Sequence, residues 1–330
     1  MAQATSYNVA GVREDLSNAL TVLSPEDTPF LSSTSKGAAP GQTYQEWQVD
    51  DYEVPAFAPI PEGQDVSSFA NKSVNRARIG NYIQKFRREW AVSDLLELSN
   101  VAGVDSEVAN AKAKVMVEIK RDMESALCSD NDRDNNPVTG TQLRALGDWI
   151  DTAGPSDVPA AYRTLSGAVD TTATGSLTEA QFNAPFQAIY NGLGSKGDFK
   201  LIAGSNLKSA ISNFQRATGS SGTTKTYQVT QDASAHKIDL TVSVYEGDFH
   251  YVTVIPTVFN GLTSGGGFGT NQSKARGYIL NPSLVSVNFM KSLGGHELQN
   301  EGGGRRGYVD AILTLAVKNP KGLGKFAGSS

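Results

Sequence analysis

Three histidines, one cysteine and a few glycine-rich runs are all that chemistry has to work with in these 330 residues. His236, His250 and His296 are scattered, and none has a second ligand-type side chain at metal-site spacing. His296, beside Glu297 in a glycine-rich stretch, is the best placed and reads as a surface histidine. There is no Gly-x-Ser-x-Gly elbow and no cysteine–histidine pair at local spacing, so nucleophilic catalysis has no visible machinery. Cys128 ends an apolar helical stripe and reads as a small core hydrophobe; being alone, it forms no intrachain disulfide. Gly265-Gly266-Gly267-Phe268-Gly269 has the composition of a phosphate loop. It lacks the Lys-Ser/Thr ending and the helix start that aims amides at phosphate. Asp130-Asn131-Asp132-Arg133-Asp134-Asn135-Asn136 lacks the glycine and late bidentate glutamate of a calcium loop and reads as a solvated turn. Arg305-Arg306 with Lys318, Lys321 and Lys325 forms a basic cluster suited either to nucleic acid backbone or to an acidic protein surface. No catalytic residue, cofactor or metal is expected, and no enzyme.

The totals agree with a folded protein of another kind. Hydrophobic residues make up 39%, net charge is −5 and the sequence pI is about 5.3. That balance argues against a chain held to nucleic acid by its overall charge. Residues 1–30 carry Arg13, Glu14 and Asp15 without a long apolar run, so no secretory signal is expected. The apolar run 311–317 is too short to span a bilayer. A soluble protein of a reducing compartment is the expectation.

The elements that would position any site start with residues 105–127. Val108, Ala111, Val115, Ile119, Met123 and Ala126/Leu127 fall on one helical stripe, while Lys112, Lys114, Glu118, Arg121 and Asp122 lie largely off it. Asp105 or Ser106 is placed to cap it, and at about 1.5 Å per residue it spans roughly 33 Å. Upstream, Ser24-Pro25-Glu26-Asp27 has the form of a helix start, limited to one turn by Pro29, with Phe30 and Leu31 as an apolar plug. Residues 176–290 read as a mixed α/β unit, with helices near 178–190 and 205–214 and a hairpin turning at Glu246-Gly247-Asp248. Residues 151–175 read as a connection, 294–307 as loose, and 308–318 as a strand apolar on both faces and so central to a sheet.

Residues 42–92 are the most unusual stretch. Two strand-like arms, 44–50 and 79–92, flank a polar tip with Pro55, Pro59, Pro61 and Gly63. Glu46, Asp50, Asp51, Glu53, Glu62 and Asp65 occupy the first part with no lysine or arginine from 37 through 71. Lys72, Arg76, Arg78, Lys85, Arg87 and Arg88 follow with no acid until Glu89. Two readings stay open: the charges neutralise one another across the hairpin, or the arm docks them onto copies of itself. On the second, Trp47, Asp50, Asp51, Glu53, Glu62, Asp65, Lys72, Arg76, Arg78, Arg87 and Arg88 are candidate contacts between subunits.

The order of parts resembles the major capsid proteins of tailed bacteriophages, which have the Hong Kong 97-type fold. The residues that carry the resemblance are Ser24-Pro25-x-x-Thr28-Pro29-Phe30-Leu31, Glu46-Trp47-Gln48-x-Asp50 and Gly80-Asn81-Tyr82-x-Gln84. Lys120-Arg121-Asp122-Met123-Glu124 and Val317-Lys318-Asn319 continue it; it is weakest over 151–175 and 217–235. The resemblance implies an α+β fold with an N-terminal arm (1–41), an extended β-hairpin loop (42–92) and a peripheral domain (93–150 and 291–330) containing the spine helix 105–127. The axial domain would be 151–290. It also implies hexamers and pentamers of the chain in an icosahedral shell around double-stranded DNA, gripped weakly and without sequence preference. Further implied partners are a portal protein, a separate scaffolding protein and decoration proteins, with no membrane. The site of action is the virion, and the bacterial host cytoplasm during assembly. A Lys–Asn crosslink, known in the founding fold, has Lys72 and Asn300 or Asn319 available but no matching motif. Alternatives are an encapsulin-like compartment shell, told apart by its neighbouring genes, and a DNA-binding or enzymatic module.

Overall fold

The long helix runs Glu107–Leu127 in the computed structural model, which describes residues 24, 27–99, 101, 103–194, 196–214, 230–232, 237–239, 243–262 and 271–328. Ser106 caps it, its side chain accepting from the Ala109 amide at 3.3 Å. Val108, Val115, Ile119, Met123 and Leu127 are buried on one face. Cys128, at the helix end, is buried as the small hydrophobe its position suggested. His236, residues 1–23 and the run 265–269 lie outside the described residues.

That face rests on a four-stranded sheet ordered Ser35–Lys36, Val285–Leu298, Arg305–Val317, Gln84–Val92. Val309, Ala311, Leu313, Leu315 and Val317 alternate toward the helix, joined by Phe86, Trp90 and Val92 of the edge strand. The late strand is therefore central, but its other face is not apolar throughout. Asp310 is buried there and takes Lys291 Nζ on both carboxylate oxygens, at 2.7 and 2.8 Å.

Several boundaries differ from those read off the sequence. Residues 294–307 are largely ordered strand: Val285–Leu298 continues through Gly294 and Gly295 with register shifts after Phe289 and Lys291. Such bulges absorb extra residues without ending a strand. The hairpin stops at Tyr82. Tyr44–Val49 pairs with Ala77–Tyr82, whereas Gln84–Val92 crosses at Ile83 into the four-stranded sheet. The apolar side of Gln84–Val92 finds a helix to cover it there, which a free hairpin lacks. The short N-terminal helix is Pro29–Ser33, with Pro29 in its first turn, and Phe30 is fully buried.

The second sheet has six strands, ordered Val244–Glu246, His250–Pro256, Gly197–Ala203, Gly277–Leu280, Gly324–Phe326, Val169–Asp170. Helices Glu179–Leu193 and Ser205–Asn213 bury Phe182, Phe186, Ile189, Leu207 and Ile211 against it. The first opens with a capping box between Thr178 and Gln181 and closes on Gly194 at φ 72°. Residues 324–326, read from the sequence with the first unit, belong to this sheet; Phe326 stacks on Phe182 at 5.4 Å. Val169–Asp170, from the expected connection, forms its edge, and the expected boundary at 290/291 falls inside the strand Val285–Leu298. Ile202, Tyr278 and Leu280 share one core with the first sheet, so the two sheets join through packed side chains.

Candidate assembly interface

The hairpin is anchored at its root. Trp47 turns inward, its ring 5.9 Å from that of Trp149. Asn81, fully buried, donates to the carbonyls of Arg144 at 3.0 Å and Leu315 at 2.9 Å and accepts the Arg144 amide at 2.7 Å. The Arg144 guanidinium is itself buried. It meets Asp132 and Asp148 at 2.8 Å and Asp157 at 2.7 Å, and lies 4.9 Å from the Trp149 ring centroid. Burial, then the neighbouring Asp132 carboxylate, pushes Asp148 up to about 6. A buried ion cluster of this kind fixes geometry more than it adds stability. Here it ties the hairpin root to the turn after the long helix and to the segment that leads to the second sheet.

Beyond the root, residues 50–76 have no regular structure and no core. Tyr52, Val54, Phe57, Ile60, Val66, Phe69 and Val74 are exposed, from 70% for Val66 to 98% for Tyr52. The tip turns at Pro61-Glu62-Gly63-Gln64, where the Gln64 amide reaches the Pro61 carbonyl at 3.3 Å and Gly63 adopts φ 78°. Scattered exposed apolar residues are ordinary; seven in one short arm make a concentrated apolar surface.

The charges are mostly answered within the chain. Glu53 pairs with Lys72 at 2.5 Å, Asp50 with Arg76 at 3.3 Å and Glu46 with Arg78 at 2.6 Å. Asp51 meets Lys321 at 3.0 Å, whose hydrogen bond holds the Asp51 carboxyl below its ordinary range. Arg87 reaches Glu89 at 2.8 Å. Arg88 forks onto Asp122 of the long helix at 2.6 and 2.8 Å, an arrangement that raises its pKa. Among the described residues, Glu62 and Asp65 have no ion-pair partner. Cross-strand pairs therefore account for half of the split charge, partners elsewhere answer Asp51, Lys85, Arg87 and Arg88, and the tip keeps the two acids.

The other candidates for chemistry disperse. Arg305 pairs with Glu297, Arg306 with Glu301, Lys321 with Asp51 and the buried Lys325 with Asp151, so the C-terminal cations form no common patch. His296 is a half-exposed neighbour of Lys291, 3.1 Å away. Among the described residues no three His, Cys, Asp or Glu side chains gather as a metal site, and no helix is long and apolar enough to cross a membrane.

An arm without a core and with its apolar side chains in solvent suits a subunit made to be covered by its neighbours. Residues 2–330 match the family described as SU10 major capsid protein. The chain belongs to that family. A curated relative, the major capsid protein of Escherichia phage Phieco32, is 33% identical over 133 residues, 38% of this chain. The aligned part spans 35% of that relative's length. Among solved structures, the mature capsid of bacteriophage PhiM1 aligns at TM-score 0.60 and 12% identity over 99% of both chains. A chain of Mycobacterium phage Adephagia aligns at 0.61 and 12% over 100% of this chain and 99% of its own. The capsid of a native GTA particle aligns at 0.61 and 10% over 98% of each. At these identities the likeness concerns the fold, which is the α+β Hong Kong 97-type fold.

Sequence reasoning missed one residue of this capsid family member that ties the N-terminal arm down. Glu124 is a fully buried carboxylate on the long helix, accepting the Phe30 amide at 2.7 Å and the Leu31 amide at 2.8 Å. Those amides are free donors of the helix that Pro29 begins. Lys200 of the six-stranded sheet donates to the Ser33 carbonyl at 2.5 Å, so the short helix bridges both sheets. An acid directly after Met123 on the apolar stripe was the available signal.

Proposed function

We propose that this chain is the repeating wall subunit of a phage head, assembling as hexamers and pentamers into an icosahedral shell around double-stranded DNA. The observation that carries the reading is the family match over residues 2–330. The uncovered arm, residues 50–76, supports it as a device for contact between subunits. On this reading the long helix with the four-stranded sheet is the peripheral domain, the six-stranded sheet with its helices is the axial domain that meets its copies at the centre of a capsomer, and the arm is the extended loop. The role is structural and not enzymatic. Each contact is weak enough to anneal, and many sum; a standard interface buries about 1,600 Å². Net charge −5 suits a wall that encloses DNA without gripping it. A portal protein, a scaffolding protein and decoration proteins are further partners, and assembly takes place in the host cytoplasm. The test is to express the chain with and without its neighbouring genes and image the product. Closed icosahedral particles are expected; a persistent monomer under all these conditions overturns the proposal.

A further inference from the structure

The base of the arm is gripped from the side as well as anchored at its root. The grip comes from two segments that join the six-stranded sheet to the rest of the chain. Residues 151–164 lead to its edge strand Val169–Asp170, and the turn Pro320–Gly322 precedes the adjoining strand Gly324–Phe326. Asp157 of the first segment takes Arg144 at 2.7 Å and Arg133 at 3.2 Å. Arg133 donates in turn to the Tyr44 hydroxyl and, at 3.3 Å, to the Gly80 carbonyl. Its guanidinium lies 5.1 and 5.8 Å from the ring centroids of Tyr44 and Tyr82, which pair across the hairpin. Further out, the Tyr162 hydroxyl donates to the Asn75 carbonyl, and Lys321 of the turn meets Asp51 at 3.0 Å. Asn75 lies just before one paired strand and Asp51 just after the other.

Two levels of contact fix an axis where one would leave a pivot. Tyr44 and Asp51 bracket the whole first strand, roughly 20 Å at about 3.3 Å per residue. A two-stranded ribbon has no core to keep its own line. The gripping segments are stiffened by bonds of their own. Arg163 donates to the carbonyls of Val158 at 2.8 Å and Ala153 at 2.9 Å, and the Thr164 hydroxyl donates to the Pro320 carbonyl at 3.2 Å. Val158 and Tyr162 are buried, so this collar is seated in the core. We propose that the collar sets the direction of the arm from the six-stranded sheet, with Asp157, Tyr162 and Lys321 as positioning residues. Asn81, on the Leu315 carbonyl of the four-stranded sheet, is the pivot, and the collar gives the aim. The arm then turns with the six-stranded sheet. What this direction serves rests on the shell-assembly reading above: arms aimed alike meet their neighbours in register.

Two mild changes loosen the collar without opening the core. Tyr162→Phe removes one hydroxyl and returns the exposed Asn75 carbonyl to water. Lys321→Asp sets two carboxylates against each other at the surface, where a pair adds little stability. The double variant of the unassembled subunit should therefore unfold near the wild-type midpoint. Spin labels on Gln48→Cys, exposed on the first paired strand, and on Ser209→Cys, exposed on the helix Ser205–Asn213, read the aim. Cys128 is buried and escapes the label. One narrow distance is expected in the wild-type background, and its loss to a broad distribution in the double variant. Adding Asp51→Lys restores the pair with its ends exchanged and should narrow the distribution again. A distance unchanged in the double variant, whatever its midpoint, overturns the proposal. So does a broad distance in the wild-type background, or failure of Asp51→Lys to narrow it. Imaging of the same variants reads the consequence, which is a loss of closed particles relative to wild type. Wild-type yields from a variant with a broadened distance would overturn the link to assembly. Wild-type chains that form no particles overturn the shell reading alone, since the distances are measured on single subunits.

Discussion

The imidazole of His250 lies flat on the Phe186 ring, with centroids 4.0 Å apart and planes 13° from parallel. Both ring nitrogens are buried without a hydrogen-bond partner among the described residues. Burial, and then the charge of Lys196, hold its pKa down to about 4, against 6.5 for an ordinary histidine. Between those two values the unfolded chain binds a proton that the folded chain refuses. Stability therefore falls as pH drops from 6.5 toward 4 and is flat outside that window. His250→Phe keeps the stack and removes both unpaired nitrogens. It should raise unfolding stability by about 1–2 kcal/mol at pH 7, with the advantage growing by about 3 kcal/mol at pH 4. Denaturant unfolding of the subunit across that range is the measurement, and parallel pH profiles for the two proteins would count against it.

Glu124 carries the opposite sign. Burial pushes its carboxyl up to about 7, while the Leu31 and Phe30 amides pull it down less strongly. The folded chain binds the proton more tightly than the unfolded chain, whose carboxyl titrates near 4.5. This contribution is therefore fully present below pH 4.5, declines by about 3 kcal/mol as pH rises to 7, and is flat above. Glu124→Gln should abolish that slope while keeping one acceptor for the two amides. Glu124→Ala should cost about 1–3 kcal/mol even at low pH, because buried amides are left unpaired. Hydrogen exchange at Phe30 and Leu31 reads the local effect, which should be faster in the alanine variant.

Arg144 makes a third case, of charge without a useful substitute. Its loss leaves Asp132, Asp148 and Asp157 facing one another around a buried site. Arg144→Leu is expected to destabilise the subunit by about 3–5 kcal/mol. Arg144→Lys should recover only part of this, since a single ammonium cannot span three carboxylates as a planar guanidinium does. Wild-type unfolding midpoints in the leucine variant would show the cluster to be dispensable.

The parts of this fold that obey a local rule were open to sequence reading. The stripe of Val115, Ile119, Met123 and Leu127 announced the long helix, and the spacing of Phe182, Phe186 and Ile189 announced another. What stayed hidden depended on partners far away in the chain. The alternation of Phe86, Trp90 and Val92 shows an apolar face but does not name Arg305–Val317 as its neighbour, so the sheet switch at Ile83 was invisible. Phe326 joins the second sheet because Phe182 is there to stack on, which no pattern near the C-terminus reveals. At the arm, the opposite charge runs pointed to pairing. Only the register shows that Glu46, Asp50 and Glu53 are consumed within the hairpin while Glu62 and Asp65 lie beyond it. Trp47 looked like a contact for a neighbour, yet Trp149 gives it one at home.

Deleting residues 55–71 separates folding from assembly. The segment contributes no buried side chain, and the root bonds of Asn81, Trp47 and Arg144 lie outside it. A short linker in its place should leave the unfolding midpoint of the subunit within about 0.5 kcal/mol of wild type. Particle formation should fall sharply, because Phe57, Ile60 and Phe69 go with it. Charge reversal of Arg76 and Arg78 is the matched control. Their partners Asp50 and Glu46 stand on the same exposed hairpin, where a pair is worth about 0.2–1 kcal/mol, so assembly should slow only at low salt. Arg88→Glu differs again, since it sets a carboxylate against Asp122 and should loosen the edge strand from the long helix before any neighbour is involved. Sedimentation and imaging of the three variants rank these effects. Normal particles from the deletion would mean that the exposed apolar arm does not join subunits.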